Sequence, residues 1–115
     1  MADRVHDVRG DFALQQSNGA VVNLVLNQSG DGGNDREGSV RFHGEAFTHG
    51  MRSTSLTGET REDQFFMEIN WTGGSVGEYH GTFRGRHLAG NTFDRSHPES
   101  QASWFVNGKV FELMR

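Results

Sequence analysis

The chain repeats one short unit, and this repeat restricts the fold more than any other feature of the sequence. The unit consists of a large apolar residue, a polar or small residue, a glycine and a second polar residue, in that order. In an extended strand the apolar residue and the glycine share one face. Because glycine weakens a strand, its repetition at one place indicates tight barrel curvature or the close approach of a ligand or another backbone. The four copies are Phe42-His43-Gly44-Glu45, Leu56-Thr57-Gly58-Glu59, Tyr79-His80-Gly81-Thr82 and Leu88-Ala89-Gly90-Asn91.

Nine segments of the chain alternate apolar and polar residues, which predicts β-strands. Short links separate most of them, no segment has the 3.6-residue period of a helix, and the chain contains one proline. The predicted strands are residues 11–16, 20–28, 39–47, 53–60, 64–71, 76–84, 87–94, 101–106 and 109–114.

Two turns and the strand order predict the topology. Ser17-Asn18-Gly19 suits a three-residue hairpin loop with Gly19 in the left-handed conformation, because a two-residue loop would put the apolar sets on opposite faces. Asn107-Gly108 is typical of a type I′ turn between the last two strands. We therefore predict an all-β fold, an antiparallel up-and-down β-barrel of eight or nine strands, since closure removes exposed edges. A flattened sandwich is the alternative.

Length and composition indicate a single β-barrel domain over residues 1–115. Residues 1–8 are polar and are predicted to be a flexible N-terminus. Nine Phe, two Trp and one Tyr in a chain with only 33% hydrophobic residues predict a core built on aromatic rings. Residues 29–38 are predicted to be a solvated loop, because their acids lack the spacing of an EF-hand calcium site.

Charge and terminal sequence restrict the partners and the compartment. A formal net charge of −4 with scattered basic residues predicts no nucleic-acid partner. No apolar run is long enough for a membrane span or a leader, which predicts no membrane partner. We expect a cytoplasmic location if Met1 is the native start and a secreted one otherwise. The absence of cysteine excludes disulfides and thiolate chemistry.

Candidate catalytic and metal-binding residues do not form the patterns that such chemistry requires. The six histidines lack metal-ligand spacing. Gly73-Gly74-Ser75-Val76-Gly77 matches the nucleophile elbow, but that motif needs a strand-to-helix turn and here lies between two strands. The strand glutamates alternate outward, away from the predicted interior. We expect no catalytic residue, no bound metal and no cofactor. These glutamates are Glu45, Glu59, Glu68 and Glu78.

The predicted strands resemble those of the avidin and streptavidin family. The resemblance covers residues 10–106 and implies an avidin-like, calycin-like barrel of eight antiparallel strands with a small ligand inside. It also implies a homodimer or homotetramer that pairs through outer faces. Apolar residues predicted on the outer face, which fit such a contact, are Val21, Val25, Phe47, Phe66 and Phe93. The motifs that carry the resemblance are Ser55-Leu56-Thr57-Gly58-Glu59-Thr60, Met67-Glu68-Ile69-Asn70-Trp71 and Tyr79-His80-Gly81-Thr82-Phe83.

The resemblance implies a set of pocket residues. Three aromatic residues stand where the family has pocket aromatics, and the alternation independently places all three on the inner face, with two phenylalanines deeper. Asn18 takes the place of a pocket serine, and Ser75 matches a pocket hydroxyl. Inward-facing glycines are expected to leave the volume that a cavity needs. The predicted ligand-binding residues are Trp71, Tyr79, Trp104, Phe42, Phe83, Asn18 and Ser75.

Three positions depart from the family where it contacts the ureido group and neighbouring atoms of biotin. Leu14, Ala46 and Gly77 replace polar residues there, and each hydrogen bond left unmade costs about 1–3 kcal/mol. The resemblance thus supports a barrel with an aromatic-lined pocket and leaves the ligand open. Residues 94–100 have no counterpart in the family and are predicted to be an inserted loop.

Three functional hypotheses follow from these residues. The first is a non-catalytic small-ligand binding protein whose aromatic-lined pocket holds a biotin-type or other small apolar molecule. The alternative is a carbohydrate-binding lectin, which exposed tryptophans on the rim would favour. A barrel-type cyclase or isomerase is the second alternative, and it needs an acid or base that faces inward.

Overall fold

The computed structural model describes residues 6–28, 39–106, 109 and 111. These residues form eight strands and no α-helix. The described part of the chain therefore contains no helix that could cross a membrane. The strands, labelled β1 to β8 in chain order, are Gly10–Gln16, Val21–Gln28, Ser39–Thr48, Met51–Arg61, Gln64–Trp71, Val76–Arg84, His87–Asp94 and His97–Val106.

Each strand pairs antiparallel with the next one along the chain, and β8 pairs with β1 to close the barrel. In this closing ladder Leu14 lies opposite Val106. The predicted all-β, antiparallel up-and-down barrel is therefore confirmed, with eight strands. The ninth predicted strand, residues 109–114, lies outside the described residues except at two positions, and the predicted loop 29–38 lies wholly outside them.

The first hairpin has the predicted three-residue loop. The Gln16 amide donates to the Ala20 carbonyl at 2.9 Å, and Gly19 has a left-handed φ of 92°. Leu14 of β1 consequently lies opposite Val22 of β2, with both side chains buried. The loop length thus sets the register that puts both apolar sets on the inner face.

Aromatic rings fill the middle of the barrel. Phe65 lies at the centre of this packing, with its ring centroid 5.3 Å from that of Phe42, 5.8 Å from Trp104 and 6.2 Å from Phe83. All four side chains are buried. The core is aromatic, as predicted, but this part of the interior is packed and leaves no room for a ligand.

Two of the repeated glycines lie where neighbouring backbones come closest. A Cβ on Gly44 would lie 2.0 Å from the carbonyl oxygen of Val25, and one on Gly90 would lie 1.9 Å from that of His80. Real Cβ atoms do not approach oxygen so closely, and therefore only glycine fits. The predicted close approach of another backbone is found at both positions.

The other two repeated glycines face aromatic rings. A Cβ on Gly58 would lie 2.2 Å from the Phe42 ring, and one on Gly81 would lie 2.7 Å from the Trp104 ring. The expectation that these glycines leave cavity volume is wrong, because neighbouring side chains already occupy the space.

The barrel end that carries the chain termini is closed by buried side chains from both termini. His6, Val8 and Phe111 are all almost fully buried. The His6 ring stacks on Phe83 with centroids 3.8 Å apart, and its Nε2 lies 3.2 Å from a carboxylate oxygen of Asp63. Residues 1–8 are predicted to be flexible, but His6 and Val8 are buried because their side chains cover the end of the core. Residues 1–5 lie outside the described residues.

Residues 94–100 form the tip of the β7–β8 hairpin, and the prediction that they form a loop is wrong, because residues 97–100 belong to β8. The turn is only Arg95-Ser96, and β8 begins directly after it. Residues 98–100 have no partner on β7, which makes a bulge. Because proline has no N–H to donate, a bulge is where a strand accommodates a residue such as Pro98.

Candidate ligand-binding site

A pocket of about 180 Å3 opens at the barrel end opposite the chain termini. Residues from the β1–β2 hairpin, from the ends of β5 and β6 and from the tip of the β7–β8 hairpin line it. The up-and-down topology brings these connections together, since every second connection lies at the same end of the barrel. The pocket has an aromatic floor and polar walls.

Trp71, Gly77 and Tyr79 form the floor. Trp71 is the last residue of β5, and Tyr79 points inward from β6. A Cβ on Gly77 would lie 3.1 Å from a ring carbon of Tyr79 and 3.6 Å from the indole nitrogen of Trp71. A side chain at residue 77 would therefore crowd the Tyr79 ring, and glycine lets both rings lie close to this part of β6.

A chain of hydrogen bonds fixes one wall of the pocket. The Tyr79 hydroxyl donates to the Gln16 side-chain oxygen at 3.0 Å, and the Gln16 side-chain NH2 group donates to the Asn18 side-chain oxygen at 3.2 Å. The same oxygen of Asn18 accepts the Ala20 backbone N–H at 3.0 Å. These side chains are thus ordered before a ligand binds, which lowers the entropy cost of binding.

The β7–β8 hairpin supplies a second wall. Thr92, Asp94 and Ser100 line the pocket from this side. Asp94 lies directly opposite Gly77 on the neighbouring strand, and side chains of directly opposite residues lie on the same face of a sheet. The carboxylate therefore lies next to the position where residue 77 has no side chain.

Burial raises the pKa of the Tyr79 phenol above its ordinary value of 10.0. The neighbouring Thr92 hydroxyl opposes this rise, but it donates its own proton to the Glu78 carbonyl at 2.8 Å. Burial is therefore the dominant cause. Tyr79 stays protonated at neutral pH and keeps a hydrogen-bond donor in the pocket.

Tyr79 is the only tyrosine of the chain, and its titration is directly measurable as tyrosinate absorbance. We expect ionisation in the folded protein at a pH clearly above 10, and ionisation near pH 10 once the protein is unfolded in denaturant. Because the folded-state pKa is the higher one, its contribution to stability is fully present below the unfolded pKa and is lost as pH rises through the folded pKa. A folded-state pKa at or below 10 would contradict the buried environment.

The structure brings together four of the seven predicted ligand-binding residues. Asn18, Trp71, Ser75 and Tyr79 all line the pocket. The other three belong to the packed middle of the barrel and do not line it, because neighbouring rings fill the space around them. These three are Phe42, Phe83 and Trp104.

Sequence reasoning missed Gln16 and Asp94 as pocket residues. Gln16 follows Phe12 and Leu14 on the inner face of β1. A polar residue that ends a row of inward-facing apolar residues could have indicated the mouth of a pocket. Asp94 ends the inward series of β7 in the same way, after Thr92. In both strands the polar residue comes where the barrel interior meets solvent.

The described residues offer no alternative chemical centre. No group of three or more His, Cys, Asp or Glu in this part of the chain lies close enough to hold a metal ion. Glu68 and Glu78 point outward, as predicted, and both pair with Arg95 on the outer surface. His43 and His80 are exposed.

Comparison of the chain with protein-family models, curated protein sequences and solved structures finds no match. Membership of the avidin family thus stays a prediction, and the function has to be argued from the pocket itself.

Proposed function

We propose that this protein is a non-catalytic binding protein that holds a small, partly polar molecule in the pocket at the open barrel end. One observation carries the proposal: Trp71 and Tyr79 border a pocket at the open barrel end that polar side chains also line. Ligand pockets commonly combine apolar contact surface with a few polar groups that orient the ligand. A single binding mode is favoured because the Gln16 wall is already ordered.

The pocket volume favours a small ligand. Its volume of about 180 Å3 lies below the roughly 300–1,000 Å3 of pockets for drug-sized molecules. The ligand is therefore either a small molecule or one end of a larger one. A ligand that reached the middle of the barrel would have to displace the ring of Trp104, which packs against Phe65.

Carbohydrate is the second candidate ligand. Lectins typically stack an exposed aromatic ring on a sugar, whereas Trp71 is only 8% exposed and Trp104 only 2% exposed. The hydroxyl and amide groups of Ser75, Thr92 and Asn18 nevertheless suit one edge of a sugar. An isomerase or cyclase needs an acid or base that faces inward, and Asp94 is the one carboxylate among the described residues that line the pocket. This role has less support, because no described His, Lys or Glu lines the pocket beside Asp94 and the raised pKa of Tyr79 keeps its phenol from acting as a base near neutral pH.

A thermal-shift screen of the purified protein tests the proposal. The panel contains biotin, common sugars, small amines, small alcohols and small carboxylates. A ligand that binds only the folded state at one hundred times its Kd adds about 2.7 kcal/mol of stability, a shift of several degrees. We expect a shift with at least one small polar compound. A shift of the melting temperature with sugars alone would favour the lectin. The absence of a shift with every compound of the panel would contradict the proposal.

Gly77→Ala should weaken binding of any compound found in the screen by about 10-fold or more, because the added methyl group occupies the space between ligand and floor. The free energy of unfolding should change by less than about 1 kcal/mol, because the nearest ring atoms need to move only slightly. Gly73→Ala is the matched control, since a Cβ there has no atom within 4 Å. Equal affinities of the Gly77→Ala variant and the parent protein would place the ligand elsewhere.

A further inference from the structure

Asp94 is the one residue with a formal charge at neutral pH among the described residues that line the pocket. We infer that the ligand is a small organic amine whose protonated ammonium group pairs with the Asp94 carboxylate. This inference rests on the proposed function and adds the chemical class of the ligand.

The carboxylate of Asp94 is held in place by its own turn. The Ser96 amide donates to one carboxylate oxygen at 2.8 Å. A carboxylate accepts about four hydrogen bonds, and this contact leaves capacity for a ligand. Asp94 lies opposite Gly77 and lines the pocket. The carboxylate is thus fixed at the pocket before a ligand binds.

The basic residue next in the chain does not neutralise this charge. The Arg95 guanidinium pairs with Glu68 and Glu78 on the outer surface, and its Nε lies 2.8 Å from a Glu78 carboxylate oxygen. These two glutamates lie directly opposite each other on β5 and β6, so that both bind one guanidinium. The arginine is therefore held outside the barrel while Asp94 faces inward.

The other ionisable residues of the hairpin tip, His97 and Glu99, do not line the pocket. A ring nitrogen of His97 lies 3.6 Å from a carboxylate oxygen of Glu99, and both side chains are exposed to solvent. Solvent screens such exposed groups strongly. The electrostatic potential inside the pocket is therefore dominated by Asp94, which attracts a cation and repels an anion.

The neutral groups of the same wall suit an ammonium ion. An ammonium group has three donors and no acceptor. Thr92 and Ser100 line the wall that carries Asp94, and Trp71 provides apolar contact for the hydrocarbon part of the amine. A carboxylate ligand would meet the like charge of Asp94.

Three compounds of nearly equal size and shape test the inference: cyclohexylamine, cyclohexanol and cyclohexanecarboxylate. Binding is followed at neutral pH by the chemical shift of the Trp71 indole N–H as each compound is titrated. We expect cyclohexylamine to bind about 10-fold more tightly than cyclohexanol, and cyclohexanecarboxylate to bind most weakly. Added salt should weaken only the binding of the amine.

Two variants of the hairpin tip separate a specific contact from general charge. Asp94→Asn keeps the oxygen that accepts the Ser96 N–H, and it should weaken amine binding about 10- to 100-fold and cyclohexanol binding far less. Glu99→Gln removes the same charge from a residue whose side chain is 76% exposed, and it should change amine affinity by less than about twofold.

The possible results separate this inference from the proposed function. Tighter binding of the amine, lost in Asp94→Asn and kept in Glu99→Gln, would support the inference. Equal binding of amine and alcohol at Trp71, or amine binding unaffected by Asp94→Asn, would overturn it and leave the proposed function standing. No response to any of the three compounds would also overturn the inference, while the proposed function would then depend on sugars, biotin and the rest of the screen.

Discussion

Gly90→Ala should destabilise the barrel by about 3 kcal/mol or more, which is a large part of the roughly 5–15 kcal/mol by which folded domains are usually stable. The added Cβ would lie 1.9 Å from the His80 carbonyl oxygen and 2.5 Å from the Gly81 Cα. Both atoms belong to the backbone of β6, and relief of the clash would require β6 and β7 to separate. The paired ladder between these strands would then lose hydrogen bonds.

Urea unfolding followed by tryptophan fluorescence measures this effect. Gly73→Ala is the control, because it is the same chemical change at a position with no neighbouring atom within 4 Å. We expect the control to stay within about 0.5 kcal/mol of the parent protein. A Gly90→Ala protein as stable as the control would show that the two strands do not approach as closely as described.

Phe65→Ala should cost about 3–5 kcal/mol, because it removes the ring at the centre of the aromatic packing. The Phe65 side chain is buried between Phe42, Phe83 and Trp104, and these rings cannot all move to fill the cavity. In a domain of this size the melting temperature should fall by on the order of 10 °C or more.

Phe66→Ala is the control for this substitution. Phe66 is the next residue of β5, points to the outer surface and is 38% exposed. Its truncation should cost no more than about 1 kcal/mol. Similar losses for the two variants would contradict the description of a packed interior with one central ring.

The fold was predictable from local pattern because a closed sheet has a strong sequence signature. Alternation identified the strands, and the Ser17-Asn18-Gly19 loop specified the register of the first pair. The repeated glycines correctly indicated close backbone contact at Gly44 and Gly90. Each of these signals is local, and local signals are what a single sequence carries.

The position of the pocket was only partly predictable. Trp71 and Trp104 have the same alternation, yet Trp71 borders the pocket and Trp104 lies in the core. The difference depends on how far each residue lies along the barrel axis and on which rings fill the space around it. Both depend on how the whole molecule packs, and the alternation of residues along a strand does not reveal them.

The closed end and the hairpin tip were missed for the same reason. His6 is buried because it stacks on Phe83, a contact between residues far apart in the chain. Asp94 ends a predicted strand, and the residues after it are predicted to be a loop because the resemblance offers no counterpart for them. A bulge accommodates Pro98 and brings Ser100 to the pocket.

The outer surface carries the apolar residues on which the predicted homodimer or homotetramer depends. Phe66 and Phe93 flank His80, with ring centroids 5.0 and 6.1 Å from the imidazole. This aromatic stripe lies on the outer face of β5, β6 and β7, as the predicted interface requires. The oligomer stays a prediction, which light scattering of the purified protein tests.

The most direct test of a binding site at the open barrel end is to monitor the two tryptophan indole N–H signals in a 1H–15N spectrum. The chain has two tryptophans, one at the pocket floor and one in the core, and Trp71→Phe assigns the signals. Compounds that raise the melting temperature, together with cyclohexylamine, are titrated in turn. We predict that the Trp71 signal moves with ligand concentration and that the Trp104 signal moves far less. A ligand that moves the Trp104 signal more than that of Trp71 would contradict a binding site at the open end of the barrel.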